Sequence, residues 1–164
     1  MLVGYGKEDI SKLDKSELIK ALQNGFYSTT KLTEALHFNP KYPEYHNIYI
    51  SNIKDKYAMM YDGTDWTLTM KDDLITRIYD DKKNYIEENL DEFIGSLTTS
   101  RKNALERWLN MNDNDNKINE IKDQIKLLLY NKRKIPIDTQ TLIEDKTDHI
   151  KPKKKIIHKN DKID

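Results

Sequence analysis

His46-Asn47-Ile48-Tyr49-Ile50-Ser51, Tyr57-Ala58-Met59-Met60-Tyr61 and Trp66-Thr67-Leu68-Thr69 decide the fold. They are rich in β-branched and aromatic residues, and polar turns separate them: Asn52 to Lys56 in one gap, Asp62-Gly63-Thr64-Asp65 in the other. Gly63 can take a positive φ, and connections this short join antiparallel neighbours. The stretch predicts a three-stranded antiparallel meander. The tyrosines and Trp66 read as core residues and cross-strand pairs.

On both sides the apolar period changes from two to about 3.6. Upstream, Asp14 precedes Lys15-Ser16-Glu17 as in a capping box, and Leu18, Ile19 and Leu22 follow before Asn24-Gly25. This predicts a helix over 14–24. A second helix, capped by Ser28 or Thr29, carries Leu32, Ala35 and Leu36 and ends near Pro40. Pro40 and Pro43 predict an extended connector over 41–45. Downstream, Leu74, Ile75, Ile78, Ile86, Leu90, Phe93 and Ile94 mark a helical segment, and the polar run Asp80–Lys83 leaves room for a break. Thr98 or Thr99 caps a last helix running to about 133, roughly 50 Å at 1.5 Å per residue.

The expected fold is therefore α+β: short helices on a three-stranded meander, then a long, coiled-coil-like helix and a charged, disordered tail. The corresponding domains are 1–97, 98–134 and 135–164.

Composition bounds the function. The chain has 164 residues, with 28 basic and 28 acidic side chains. Residues 1–70 carry net −1, residues 71–97 net −4 and residues 98–164 net +5, so an acidic middle can pair with a basic end. No apolar run reaches the ~20 residues of a membrane span, and no secretory signal opens the chain. With no cysteine there is no disulfide, Cys-ligated zinc or thiol nucleophile. Lys, Ile, Asn and Tyr make up 67 residues, which points to an AT-rich gene and weakens any argument from lysine runs. Only four arginines are present, against base-specific recognition.

Gly6-Lys7-Glu8-Asp9, Lys31 to Asn39, Pro43 to Ala58, and Tyr61-Asp62-Gly63 with Trp66 together resemble a module of uncharacterised proteins from nucleocytoplasmic large DNA viruses, the mimivirus-like giant viruses especially. The resemblance spans roughly residues 4–134, including Leu127 to Arg133, and its most specific run is Pro43-Glu44-Tyr45-His46-Asn47-Ile48-Tyr49. In that family the module usually follows a Cys2His2 finger-like segment, absent here, so the resemblance implies the carboxy-terminal part of a larger protein. It carries no established activity. It implies the virus factory in the host cytoplasm, the virion or the nucleus as location.

Chemistry-bearing motifs are sparse. His46-Asn47 beside Glu44 are residue types of a histidine–asparagine nuclease site, which also needs a second His or Asn and a metal-ligand pair. His46 reads instead as starting a strand and bonding the connector. The four histidines show no close zinc spacing. Asn112 to Asn116 begins like a calcium loop, but the sixth position lacks glycine in either frame. It reads as a helix interruption or a polar coiled-coil stretch. Asp72-Asp73, Asp80-Asp81 and Glu87-Glu88 lie about seven apart and read as a solvated face; the acidic face 72–92 could also dock a basic partner. No phosphate-cradling glycine loop or nucleophile elbow occurs. No cofactor and no enzymatic activity is expected.

Two interaction readings remain. The first is a non-catalytic association module. Residues 104–132 form a heptad seam, with Met111, Ile118, Ile121, Ile125 and Leu128 at core positions, and predict a homo-oligomer, a parallel dimer ahead of a trimer. The second is a winged-helix-like DNA-binding module. There Lys31 and the Asn52–Lys56 turn (Lys54, Lys56) would face the duplex, with Lys153, Lys154 and Lys155 as phosphate contacts in the tail.

Overall fold

The computed structural model describes the backbone of residues 1–150 and the side chains of residues 1–145. Its architecture is α+β, with six α-helices and one three-stranded antiparallel sheet of order β1-β2-β3. The strands are β1 (Ile48–Tyr49), β2 (Tyr57–Tyr61) and β3 (Trp66–Met70). Tyr57 pairs with Met70, Met59 with Leu68 and Tyr61 with Trp66. Gly63 takes φ +107° in the β2–β3 turn, and the Asp62 carboxylate accepts from the amides of Thr64 and Asp65, both at 2.8 Å. The first strand is shorter than 46–51. It leaves the sheet after Tyr49 because the Ile50 N–H donates to the Leu129 carbonyl, 3.2 Å away. At the other end, the Lys71 amide donates to Lys56 O at 2.8 Å. The buried Lys71 ammonium donates to the carbonyls of Asn52 and Ile53, which holds the β1–β2 turn.

Helices α1 (Lys15–Leu22) and α2 (Ser28–His37) sit where periodicity places them. Their starts differ from expectation. Asp14 makes no capping bond and instead pairs with Lys41 at 3.0 Å. Helix α2 begins at Ser28 itself, following a 3-10 turn over Gly25–Tyr27. The connector also differs: Pro43–Tyr45 is a 3-10 turn, since proline suits the first position of a turn whose first amides need no partner. Helix α3 (Lys71–Phe93) runs through Asp80–Lys83 without a break, and Lys82 is buried on its inner face.

The single long helix over 98–134 is not formed. The chain makes α4 (Thr99–Leu109), a loop, and α5 (Asn116–Asn131). Thr98 caps α4 by accepting from the Arg101 amide. The polar run 112–116 supplies the interruption: Asn112 accepts from the Asn114 amide at 2.9 Å, and Asp115 caps α5 through the Lys117 amide at 2.8 Å. Short polar side chains that bond nearby amides compete with helix continuation. The reversal turns the apolar stripe of α5 back onto α2, α3 and β1. Residues 98–131 thus belong to the same core as the first 97, and no domain boundary falls at 97/98.

The charged tail is also partly structured. Helix α6 (Lys134–Ile150) accommodates Pro136 in its first turn, where proline is tolerated. The rest of the tail, residues 151–164 with Lys153, Lys154 and Lys155, lies outside the described residues.

One continuous core runs from Tyr5 to Leu129. Leu32, Leu36, Ile48, Ile78, Leu105, Trp108, Ile121, Ile125 and Leu129 are completely buried, each aliphatic one contributing about 1.5–3 kcal/mol of transfer free energy. Trp108 Nε1 donates to the Tyr79 hydroxyl at 2.9 Å, so the buried indole keeps its partner. Among the described residues no helix is long and apolar enough to cross a membrane.

Candidate functional site

Two features stand apart from ordinary core and surface: a buried polar chain under α3, and the outer face of the sheet. The polar chain joins segments that no sequence pattern connects. The Lys82 ammonium, 1 % exposed, donates to His37 Nε2 at 2.9 Å. His37 Nδ1–H then points at Asn47 Oδ1 (2.9 Å) and the Tyr45 carbonyl (3.0 Å). Asn47 Nδ2 donates to Val3 O at 2.9 Å and to Glu8 Oε2 at 2.7 Å. These partners assign the tautomer: His37 is neutral, protonated on Nδ1. Beside them, the Tyr5 hydroxyl donates to Asp81 Oδ2 at 2.9 Å, and the Lys82 and Arg77 cations lie 5.3 and 4.8 Å from the Tyr5 ring centroid.

Electrostatics follow burial. Desolvation, then the adjacent Lys82 charge, hold the His37 pKa well below its usual value. Desolvation lowers Lys82 to about 8 from 10.5, against the pull of Glu8 and Asp81. Desolvation and the Asp81 carboxylate push the Tyr5 hydroxyl upward. Such shifts often mark reactive groups. Here Lys82 and His37 are both sealed from solvent. The arrangement ties the amino-terminal segment, α2, the connector and α3 together through paired donors and acceptors.

His46 is likewise structural. Its Nε2 donates to Asn39 O at 2.7 Å, within the connector region, and its Nδ1 accepts from the Thr139 hydroxyl of α6 at 2.7 Å. Among the described residues no group of three His, Asp or Glu side chains could hold a metal ion.

The sheet has two unlike faces. Ile48 and Ala58 point into the core, with Met60 packed beside them. The opposite face carries Tyr57, Met59 and Tyr61 on β2 and their partners Met70, Leu68 and Trp66 on β3. An antiparallel sheet packed on one side normally shows water a polar face. This one shows a contiguous apolar and aromatic face. Leu68 is 66 % exposed, Met70 46 % and Tyr57 40 %. Trp66 anchors the patch edge-on to Tyr49 (5.4 Å between centroids) and tilted on Tyr61 (5.7 Å). Tyr49 is covered, and its hydroxyl faces the charge of Glu144 on α6, so α6 flanks the β1 end and the β2–β3 part stays open. The expectation that these aromatics are cross-strand pairs holds for Tyr61 and Trp66, but Tyr57 is not core.

The sequence-predicted interface lies elsewhere and is used internally. Ile118, Ile121 and Ile125 are buried in the chain's own core, and Met111 and Leu128 pack partly against it. A stripe at spacings of three and four serves a domain core as well as a coiled coil, and the turn at 110–115 selects the former. Lys31 is exposed on α2 beside Glu34, 3.9 Å away, while Lys54 and Lys56 are exposed in the β1–β2 turn. On α3, Asp72, Asp73, Asp80, Glu87 and Glu88 face solvent, and no ion pair among the described residues reaches them. Asp81 departs from that face by bonding Tyr5. Comparison with known protein families, curated proteins and solved structures gives no match to this chain.

Proposed function

We propose that this chain is a non-catalytic association module that works as a homo-oligomer, with the open β2–β3 side of the sheet as its contact surface. One observation carries the reading: the apolar side chains of Tyr57, Met59, Leu68 and Met70 line one open face of the sheet. Contiguous exposed patches of this kind mark interaction surfaces on soluble domains. The sequence likeness to a giant-virus module, itself without catalytic signature, agrees with a binding role in a protein of that kind. Light scattering on the native chain at tens to hundreds of micromolar tests the proposal. The expected result is a dimer, weakened by Leu68→Asp, which places a charge in the patch on the edge strand β3. A native monomer throughout that range overturns the reading. So does a dimer indifferent to Leu68→Asp. Titration with duplex DNA separates the winged-helix alternative, for which submicromolar binding with a steep salt slope would speak.

A further inference from the structure

The edge of the sheet carries more information than its face. The registered pairs alternate between bonded and non-bonded positions. Asp62 N–H donates to Asp65 O at one end of the β2–β3 ladder, and Lys71 N–H donates to Lys56 O at the other. Counting inward from both ends gives one phase: Thr67 and Thr69 turn their amide and carbonyl groups toward β2, and Trp66, Leu68 and Met70 turn theirs outward. Among the described residues no strand pairs with this edge, and only the Met70 carbonyl is committed elsewhere, to the first turn of α3. Arg77 of α3 reaches Met60 Sδ, on the core-facing side of the sheet, at 3.9 Å, which places α3 beneath the sheet rather than along this edge.

Edges left open in natural sheets are usually guarded by a charge, a proline or a bulge. Trp66-Thr67-Leu68-Thr69-Met70 contains no charge and no proline, and its register with β2 has no bulge. The strand is also self-complementary. A two-fold axis through Leu68 in antiparallel pairing sets Leu68 opposite Leu68 of a second copy, Thr67 opposite Thr69 and Trp66 opposite Met70. Every apolar residue then meets an apolar one on the outer face, and every threonine meets a threonine on the inner face, pairs that favour strand association. The same axis sets the Leu68 N–H and carbonyl against those of the second copy, and the Met70 N–H against the Trp66 carbonyl, while the Met70 carbonyl stays with α3. A self-complementary patch of this kind is what an isologous contact requires.

We propose that a second copy of this chain pairs with β3, edge to edge about Leu68, to form a continuous six-stranded antiparallel sheet. The inference rests on the association reading and names its partner and register. Joining the sheets also makes one apolar outer surface from two.

Leu68→Pro and Leu68→Thr separate edge pairing from face contact. Proline removes the Leu68 N–H, which points away from β2, so the internal ladder keeps all its bonds. Threonine keeps that N–H and suits a strand, but shrinks the apolar side chain. Sedimentation of the full-length native chain should give a dimer. Leu68→Thr, which loses only side-chain contact, should weaken the dimer modestly, and Leu68→Pro should raise Kd at least about tenfold beyond Leu68→Thr with an unchanged circular dichroism spectrum. Hydrogen exchange on the native chain gives a readout independent of any variant's folding. The Leu68 amide should be protected at high micromolar concentration and lose protection on dilution. A native monomer overturns both the association reading and the edge pairing. A native dimer with an unprotected Leu68 amide, or one that survives in a folded Leu68→Pro chain, overturns the edge pairing alone.

Discussion

Lys82→Met tests whether the polar chain under α3 is organised as described. Burial lowers the Lys82 pKa to about 8 from 10.5, so the folded chain holds the ammonium proton less tightly than the unfolded chain. Between those two values the unfolded state binds more protons, and stability therefore rises with pH across that window. The charge penalty is present in full below about pH 8 and relieved as pH approaches the unfolded value. The whole shift corresponds to about 3 kcal/mol, of which about 2 kcal/mol returns between about pH 7 and about pH 9.5. Other perturbed groups act mainly outside this interval. His37, held well below 6.5, makes the fold lose stability as pH falls beneath that value. Tyr5 and Tyr79, raised above 10 (Tyr79 to about 12), make it lose stability as pH rises beyond 10, where the unfolded phenols ionise first.

Methionine at position 82 keeps the length of the side chain and removes the proton. It also leaves His37 Nε2 without its donor, a loss of about 1–3 kcal/mol that offsets the relieved charge at neutral pH. Urea unfolding should therefore show native and variant chains of similar stability near neutrality. The native chain should gain about 2 kcal/mol on going to about pH 9.5, and the variant should gain nothing comparable. A native stability that is flat or falling across that interval would refute the argument. A variant that rises in parallel with the native chain would refute it equally.

Ile121→Asp should destabilise the fold itself by at least about 3 kcal/mol, because it puts a carboxylate among α2, α3 and α5; a folded variant changed only in oligomeric mass would mean that the α5 stripe faces a partner. Gly63→Val should cost about 1 kcal/mol or more, since a β-branched residue resists φ +107°, and an unchanged melting midpoint would contradict the turn. Gly4→Ala should be disruptive for a different reason: a Cβ there would come within 2.8 Å of the Gly63 nitrogen and 2.9 Å of the Asp62 carbonyl, both backbone. A melting midpoint equal to the native value would show that the two segments are not in that contact. Trp108→Phe should lower stability by about 1–3 kcal/mol by stranding the Tyr79 hydroxyl, with thermal melting as the measure.

Local physics made the secondary structure readable before any tertiary arrangement was known. The change of apolar period near residue 46 and again near residue 71 marks where helices stop and start, because a strand exposes alternate residues and a helix exposes every third or fourth. Asp62-Gly63 announces its turn through the one residue that tolerates the required φ. Thr98 announces its helix through a hydroxyl that satisfies an otherwise free amide. The alternation of Tyr57, Met59 and Tyr61 even shows that three large side chains share one face.

Which face meets water is another matter. A period describes how residues are arranged about their own axis and carries no information on what lies opposite. The stripe Ile118-Ile121-Ile125 fits a coiled coil and a domain core equally, and only the reversal at 110–115 turns it inward. The polar chain is still less legible, since Lys82 and His37 are 45 positions apart and meet only when α3 lies across α2. A lysine in a chain rich in lysine gives no sign that it is the one taken out of water, and Asn47 looks like an ordinary strand residue until Glu8 and Val3 reach it. Burial of a charge, and the open edge of β3, are properties of the assembled surfaces and their solvent, which the chain acquires only on folding.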